Sequence, residues 1–203
     1  VLTLPLDLAT LESVRSFAAQ YKMMNLPLYG LICNAGISGE KTGTTVDGMD
    51  CIFQSNHLGH FLLTMLMLPV MRRDARILSV SSDMHCPPQG ELTWLGVDAI
   101  AHPDESLGLH RSRYSYSKLC NLYFTYELSA RLRAKRSGII ANAFNPGLMV
   151  DTNFTPDKSK FTAQLLAAVS DRIGSLDKSS DALAALTTEP EYADQWGNYY
   201  DRS

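Results

Sequence analysis

The sequence predicts an α/β fold in which a doubly wound parallel sheet carries helices on both faces. Short apolar runs alternate with longer amphipathic segments along most of the 203 residues, which is the pattern of βα units with strands buried on both sides. The composition agrees, because 45% hydrophobic and 19% charged residues are enough for one large core. We therefore predict a single domain over residues 1–203.

The composition also excludes several classes of protein. A net charge of −3 provides no basic surface for nucleic acid. The longest apolar stretch, residues 61–71, is shorter than a membrane span and contains Pro69. The 4 cysteines lie far apart without a CxxC pair, and the 5 histidines show no supported metal-ligand spacing. We expect no metal site and a reducing, cytoplasmic location.

The first quarter of the chain predicts two strands around one helix. Residues 1–6 favour a strand, and Thr10 is placed to cap a helix whose apolar positions recur at helical spacing. Those positions are Leu11, Val14, Phe17 and Ala18. Residues 28–33 predict the next strand, which is followed by a polar, glycine-containing loop over residues 34–48.

The middle of the chain predicts two long helices and two strands. An apolar helix is expected over about residues 49–72, a strand over 76–81 and a second long helix over about 114–135. Between the last two, residues 83–113 are expected to cross the surface as a long irregular excursion. Residues 139–145 predict a further strand.

The rest of the chain predicts a loop and helical stretch rich in Phe and Leu, a helix near residues 180–187 and a short strand over 196–200. A doubly wound, Rossmann-like nucleotide-binding sheet normally starts with a strand, a glycine-rich turn and a helix, yet the sequence contains no GxGxxG or GxxxGxG. The first βαβα portion is therefore expected to be missing, and the domain is predicted to be incomplete at its N-terminus.

The strongest chemical signal is a tyrosine and a lysine four residues apart, Tyr114 and Lys118, at the start of a helical pattern. This spacing puts both side chains on one face of a helix. A phenol is a weak acid–base catalyst at neutral pH, but a nearby ammonium favours the phenolate and lowers the pKa of the tyrosine. An alternative is that the two are unrelated surface residues.

Other candidate residues follow the ends of predicted strands, where open parallel sheets bind ligands. Ser82 follows one strand and is placed to donate to a carbonyl oxygen, although a serine there also caps turns. Asn34-Ala35-Gly36 follows another, and its small residues let the backbone approach a flat ligand. Asn56, inside an apolar helix, has either a structural or a functional hydrogen bond.

In chain order these residues resemble the short-chain dehydrogenase/reductase family, nearly from end to end. The matched positions are Asp7-Leu8 after the family's third strand, Asn34-Ala35-Gly36 as its NAG motif, the helix residue Asn56, the serine Ser82, the YxxxK pair Tyr114 and Lys118, and the Pro146-Gly147 motif. The long gap between Ser82 and Tyr114, with segments 56–61 and 117–121, is similar to the branch that contains retinol dehydrogenases, WW-domain oxidoreductases and light-dependent protochlorophyllide reductases.

The resemblance implies an oxidoreductase that moves a hydride between NADP(H), or alternatively NAD(H), and a carbonyl or alcohol carbon. Tyr114 would transfer the proton and Ser82 would bind the substrate oxygen. Lys118 would lower the pKa of the tyrosine and hold the nicotinamide ribose, and Asn56 would hold a relay water. These four residues are the predicted catalytic group.

The resemblance also implies a set of cofactor-binding residues along the strand ends. After the PG motif, the family's threonine falls on Asp151 at the commonest spacing, so Thr152, one position further on, is the candidate. The predicted cofactor-binding residues are Asp7, Leu8, Asn34, Ala35, Gly36, Tyr114, Lys118, Pro146, Gly147 and Thr152.

Substrate choice is expected to come from residues 83–113 and from residues 148–178, which are predicted to form a lid. The apolar candidates in that lid are Met149, Phe154, Phe161, Leu165 and Leu166, and plain core packing is the alternative for them. We predict a lipophilic aldehyde, ketone or alcohol as the substrate.

Two other functions share these motifs. One is a catalytically inactive binding or regulatory protein with the same fold, and the other is a light-dependent, protochlorophyllide-type reductase. The resemblance further implies a homodimer or homotetramer, and a membrane anchor in a preceding segment stays open. No nucleic-acid partner is expected.

Overall fold

The structure, a computed structural model, describes residues 1–38, 43–87, 90, 92–103, 110–150, 152, 154 and 162–201. Within these ranges the chain forms a four-stranded parallel sheet with the strand order β1-β2-β3-β4. The strands are β1 (Leu28–Cys33), β2 (Met71–Val80), β3 (Ile140–Asn145) and β4 (Tyr199–Asp201). Because neighbouring strands run parallel, their carboxyl ends meet at one edge of the sheet.

Helices pack around this sheet. They are α1 (Leu11–Met23), α2, α3 (Val97–Ala101), α4 (His110–Ala134), α5 (Ala163–Ala168) and α6 (Leu176–Thr188). Helix α2 consists of three consecutive segments, namely Cys51–Phe53, a π-helical turn at Gln54–Leu58, and Gly59–Met67. Among the helices described, none combines the length and the apolar character needed to cross a lipid bilayer.

The sheet is covered on both faces because alternate side chains of its strands enter different cores. Ile77 of β2 packs in one cluster with Leu128 of α4. Leu78, the next residue, packs in another with Phe144 of β3 and Leu186 of α6. Successive side chains of a strand point to opposite faces, so α4 and α6 lie on opposite sides. The predicted doubly wound parallel sheet is confirmed over the part of the fold that is described.

Several predicted elements are present with shifted ends. Helix α2 ends at Met67 rather than near residue 72, because Pro69 follows in a 3₁₀ turn and cannot continue a regular helix. Strand β2 therefore begins at Met71, five residues before its predicted start. Helix α4 begins at His110, α6 spans Leu176–Thr188, and the last strand is confined to Tyr199–Asp201.

The predicted strand at residues 1–6 is wrong for the described chain. A strand exists by pairing its backbone with a neighbour, and none of the described strands lies beside these residues. Thr10 does occupy the N-cap position of α1, but its side chain makes no capping bond. Instead the carboxylate of Asp47 accepts a hydrogen bond from the Leu11 backbone at 2.9 Å.

Candidate active site

A cavity of about 580 Å³ opens at the edge of the sheet where the strands end. Its walls come from the segments that follow β1, β2 and β3 and from the first turns of α4. The residues lining it are Asn34, Ala35, Gly36, Val80, Ser81, Ser82, Asp83, Met84, Tyr114, Lys118, Pro146, Gly147, Leu148, Met149, Thr152, Phe154, Val169 and Arg172. Most of the predicted site residues therefore share one cavity, as expected for strand ends of a parallel sheet.

Tyr114 and Lys118 lie on the same face of α4, as their spacing predicts. Lys118 is 3% exposed, and its Nζ donates a hydrogen bond to the Val80 carbonyl at 3.0 Å. The same Nζ lies 5.4 Å from the centre of the Tyr114 ring. Both side chains face the cavity, so the pair has the geometry that the catalytic interpretation requires.

The electrostatics of this pair differ from the expectation that Lys118 lowers the pKa of Tyr114. In the structure, burial raises the pKa of Tyr114 to about 12; the hydrogen bond with Ser82 opposes this rise and the charge of Asp83 adds to it. Burial lowers the pKa of Lys118 to about 8. Removal from water disfavours both charged forms, so the cavity favours a neutral phenol beside a weakly basic amine.

Ser82 is held in place by its own turn. Its Oγ accepts a hydrogen bond from the Met84 backbone at 3.2 Å and donates one to Asp83 Oδ1 at 3.2 Å. His85 Nδ1 donates to the Ser82 carbonyl at 2.6 Å. The hydroxyl also hydrogen-bonds to Tyr114. Ser82 therefore caps the turn at Asp83–His85, and it also faces Tyr114. The capping role and a position beside the tyrosine do not exclude each other.

The loop at residues 34–36 is fixed from below by α2. His60 Nε2 donates to the Ala35 carbonyl at 2.8 Å, and burial lowers the pKa of His60 to about 4, which keeps it neutral. A Cβ placed on Gly36 would lie 3.3 Å from Asn56 Oδ1 and 3.6 Å from Lys118 Nζ. The small side chains predicted for this loop are thus required by close packing as well as by access to the cavity.

Asn56 lies beneath the cavity and does not line it. It is 0% exposed, and its side chain bridges the loop after β1 and helix α4. The amide donates to the Ile37 carbonyl at 2.9 Å and to Ser117 Oγ at 3.1 Å, and Oδ1 accepts from the Ile37 backbone at 2.7 Å. The structure therefore gives Asn56 a supporting place, and its predicted role in holding a relay water stays a prediction.

Asn121, one helical turn after Lys118, is a site residue that the sequence did not single out. Its Nδ2 donates to the carbonyls of Asn56 and Val80 at 3.1 and 3.4 Å, and its Oδ1 accepts from His57 Nδ1 at 3.0 Å. The amide thereby joins the π-helical turn to the end of β2. The sequence shows only a polar residue on the buried face of a helix. Because many helices contain such a residue, it did not mark Asn121 as part of the site.

Asp7 and Leu8 do not line the cavity, and their predicted cofactor role stays a prediction. Asp7 accepts a hydrogen bond from the Ala9 backbone at 2.9 Å in an exposed turn. Leu8 is buried against α2, where its carbonyl would lie 2.7 Å from a Cβ on Gly59. Their position at the start of α1 separates them from the described part of the site.

The segment after β3 forms the wall opposite the tyrosine. Gly147 has φ +81°, and a Cβ there would lie 2.9 Å from the Arg172 carbonyl. Leu148 N donates to that carbonyl at 2.7 Å. Thr152 lines the cavity, and its Oγ1 donates to the Met149 carbonyl at 3.1 Å. Asp151, its competitor for the family's threonine position, lies outside the described residues.

The predicted lid contributes only part of its apolar residues. Met149 and Phe154 line the cavity, and the Phe154 ring lies 5.7 Å from that of Tyr114. Leu165 and Leu166 belong to α5 and do not line it, and Phe161 lies outside the described residues. Seven other wall residues were not singled out from the sequence, and these are Val80, Ser81, Asp83, Met84, Leu148, Val169 and Arg172.

The fold and the site together define a doubly wound α/β protein with a serine, a tyrosine and a lysine grouped at the carboxyl edge of its sheet. A scan against protein-family models finds no match. Among curated proteins, the WW domain-containing oxidoreductase of Gallus gallus is 39% identical over 152 residues, covering 71% of this chain and 35% of that protein. The polyprenol dehydrogenase of Homo sapiens is 36% identical over 149 residues, covering 70% and 43%.

A solved structure is similar over nearly the whole chain. The blue fluorescent protein from a metagenomic library, in complex with NADPH, has a TM-score of 0.74 at 22% identity, covering 97% of this chain and 72% of that one. This likeness shows the fold. The short-chain dehydrogenase TIC 32 A of Brassica napus is 32% identical over 204 residues, covering 97% of this chain and 62% of that protein. The chain belongs to the short-chain dehydrogenase/reductase superfamily. It spans between 35% and 62% of the length of these three curated relatives.

Proposed function

We propose that the protein is an NADP(H)-dependent oxidoreductase, with NAD(H) as the alternative cofactor, acting on a lipophilic carbonyl compound or alcohol. The observation that carries this proposal is the grouping of Ser82, Tyr114 and Lys118 in one cavity at the carboxyl edge of a parallel sheet. The names of the relatives, an oxidoreductase and a dehydrogenase, support the class of reaction.

The cavity wall fits a dinucleotide at its glycines. A Cβ on Gly36 would lie 3.3 Å from Asn56 Oδ1 and one on Gly147 would lie 2.9 Å from the Arg172 carbonyl, so close packing favours glycine at both positions and leaves their backbone in the cavity wall. Lys118 has three N–H donors and gives one to Val80. The remaining donors suit ribose hydroxyls. When bound, the nicotinamide supplies or accepts the hydride.

The protein's own residues handle the proton. In the reducing direction Tyr114 gives its hydroxyl proton to the oxygen that develops negative charge, and Ser82 donates a second hydrogen bond that strengthens as the charge appears. A pKa of about 12 keeps Tyr114 protonated at neutral pH, which is the form a proton donor needs. Oxidation of an alcohol requires the phenolate, so it should become faster as the pH rises.

The apolar side of the cavity supports a lipophilic substrate. Met84, Leu148, Met149, Phe154 and Val169 line it together with the hydroxyls of Ser82 and Tyr114. A pocket of this kind binds apolar surface and uses a few polar groups for orientation. The relative named polyprenol dehydrogenase agrees with this choice.

The test is turnover by the purified gene product with NADPH, followed by nicotinamide absorbance, on paired apolar and small polar carbonyl compounds. We expect long-chain or cyclic apolar substrates to be preferred. Tyr114→Phe should lower kcat by about 100-fold or more, whereas Tyr123→Phe, on an exposed part of α4, should leave it unchanged. An active Tyr114→Phe variant would overturn the mechanism, and a preference for small polar carbonyls would overturn the substrate class.

A further inference from the structure

Asp83 contacts both sides of the cavity through its two carboxylate oxygens. Its Oδ1 accepts a hydrogen bond from Ser82 Oγ at 3.2 Å, and its Oδ2 lies 4.0 Å from Arg172 Nη1. Both charged side chains line the cavity, with 28% of the aspartate and 37% of the arginine exposed. The pair therefore lies at the mouth of the cavity, one residue away from the serine.

Arg172 is anchored to the wall opposite Ser82. Its carbonyl accepts a hydrogen bond from Leu148 N at 2.7 Å, and Gly174 N donates to the Leu148 carbonyl at 3.1 Å. These bonds tie the turn at Ser170–Arg172 to the segment after β3. The contact between Asp83 and Arg172 thus links the turn after β2 with the segment after β3.

The Ser82 hydroxyl has one proton, and the structure gives that proton to Asp83. The Oγ lone pairs remain free to accept, and one of them accepts from the Met84 backbone. The hydrogen bond by which Ser82 lowers the pKa of Tyr114 needs the same proton, so Asp83 and the tyrosine oxygen compete for it. A substrate oxygen must take the place of one of these partners before Ser82 can donate to it.

We propose that Asp83 is a positioning residue that, together with Arg172, sets the orientation of the Ser82 hydroxyl and the charge beside Tyr114. This rests on the proposed function, in which Ser82 and Tyr114 act on the substrate oxygen. The chemistry is specific to an acidic residue at this position, because a neutral side chain would neither hold the serine proton as firmly nor repel the phenolate.

The charged and polar groups that face Tyr114 determine whether its pKa rises or falls when one of them is replaced. Lys118 lies 5.4 Å from its ring on α4, and Ser82 and Asp83 approach from the turn after β2. His85 lies in the same turn, where its Nδ1 donates a hydrogen bond to the Ser82 carbonyl. The Asp83 carboxylate disfavours the phenolate and raises the pKa of Tyr114. Arg172, whose Nη1 lies 4.0 Å from that carboxylate, carries the opposite charge and should act in the opposite direction.

Two substitutions should therefore shift the pKa of Tyr114 in opposite directions. Asp83→Asn removes the repulsion and should lower the pKa of Tyr114 by about half a pH unit or more, whereas Arg172→Gln should raise it. Asp83→Glu keeps the charge and should restore most of the wild-type value. Asp98→Asn, an exposed carboxylate on α3 that does not line the cavity, is the matched control and should cause no shift.

The measurement is the ¹³Cζ chemical shift of labelled tyrosine, which gives the ionised fraction of Tyr114 in each variant at the same pH, from about pH 9 to about pH 12, with Tyr114→Phe used to assign the signal. Circular dichroism at each pH confirms that the variants stay folded. The pH dependence of kcat for alcohol oxidation should shift in parallel, to lower pH in Asp83→Asn and to higher pH in Arg172→Gln. A change in structure alone would not give these opposite shifts.

Shifts in the same direction, no shift, or an equal shift in Asp98→Asn would overturn the proposal for Asp83. A protein without turnover would overturn the proposed function, while the tyrosine titration would still decide the role of Asp83. The two failures are therefore distinguishable.

Discussion

Replacing Lys118 by methionine is expected to stabilise the protein at neutral pH while abolishing its activity. The lysine is 3% exposed, and its Nζ makes a single hydrogen bond, to the Val80 carbonyl at 3.0 Å. Burial lowers the pKa of the amine from 10.5 to about 8. Charging it therefore costs more free energy in the folded protein than in the unfolded chain.

The size and sign of the change in stability follow from the difference between the pKa of Lys118 in the folded protein and in the unfolded chain. Between pH 8 and pH 10.5 the unfolded chain holds a proton that the folded protein has released, so stability rises with pH through this window. The difference of about 2.5 pH units, at about 1.36 kcal/mol each, is about 3 kcal/mol. Stability from the neutral amine is fully present above pH 10.5 and is lost as the pH falls to about 8.

The assay is guanidinium unfolding of the wild type and Lys118→Met from about pH 6.5 to about pH 10.5. The variant should gain about 3 kcal/mol over the wild type at low pH, and the gain should disappear toward the high end. Raised pKa values at Tyr114, Cys33 and Cys120 are shared by both proteins and cancel in the difference. Lys135→Met, at an exposed lysine, is the control. A difference that does not change with pH would refute the reasoning.

Three further predictions use other parts of the site. Gly147→Ala should lower the free energy of unfolding by about 1–3 kcal/mol, because the position has φ +81° and a Cβ there would lie 2.9 Å from the Arg172 carbonyl. Gly48→Ala is the control, since Gly48 has φ +82° but open space around it, and it should lose less stability in thermal unfolding. Equal losses in the two variants would contradict this account. His60 has a pKa of about 4 against 6.5, so the unfolded chain binds the extra proton and stability falls as the pH drops between these values. His60→Leu should remove that slope in urea unfolding. Asn121→Leu should lower kcat about 10-fold and stability by about 1–3 kcal/mol, since it removes the hydrogen bond that the amide donates to the Asn56 carbonyl and one of those to the Val80 carbonyl. Wild-type values for both would exclude the supporting role.

Features that depend on short stretches of sequence were predictable. The spacing of Tyr114 and Lys118 fixes their common face on a helix, and the position of Ser82 after an apolar run places it at a strand end. Apolar periodicity located β1 and β3 almost to the residue. These inferences succeed because helix and strand geometry relate neighbouring residues directly.

Features that depend on residues far apart in the chain could not be predicted from the sequence. Asp47 caps a helix that begins 36 residues earlier, and Arg172 meets Asp83 only after the chain has crossed the sheet. The pKa of Tyr114 shifts upward, opposite to the expectation, because burial, which a sequence does not record, disfavours the phenolate. Asn121 belongs to the same class, since its partners lie on α2 and β2.

The π-helical turn at Gln54–Leu58 gives α2 one place where its length can change. A π turn holds one residue more than a regular turn, and each residue rotates a regular helix by about 100°. Deleting a single residue there would restore ordinary winding and keep the downstream side chains in phase, so that His60 would still reach the Ala35 carbonyl. A deletion within the regular segment Gly59–Met67 would instead turn the residues beyond it by that angle, away from their partners in the core. Family members should therefore gain or lose a single residue inside this turn more readily than elsewhere in α2.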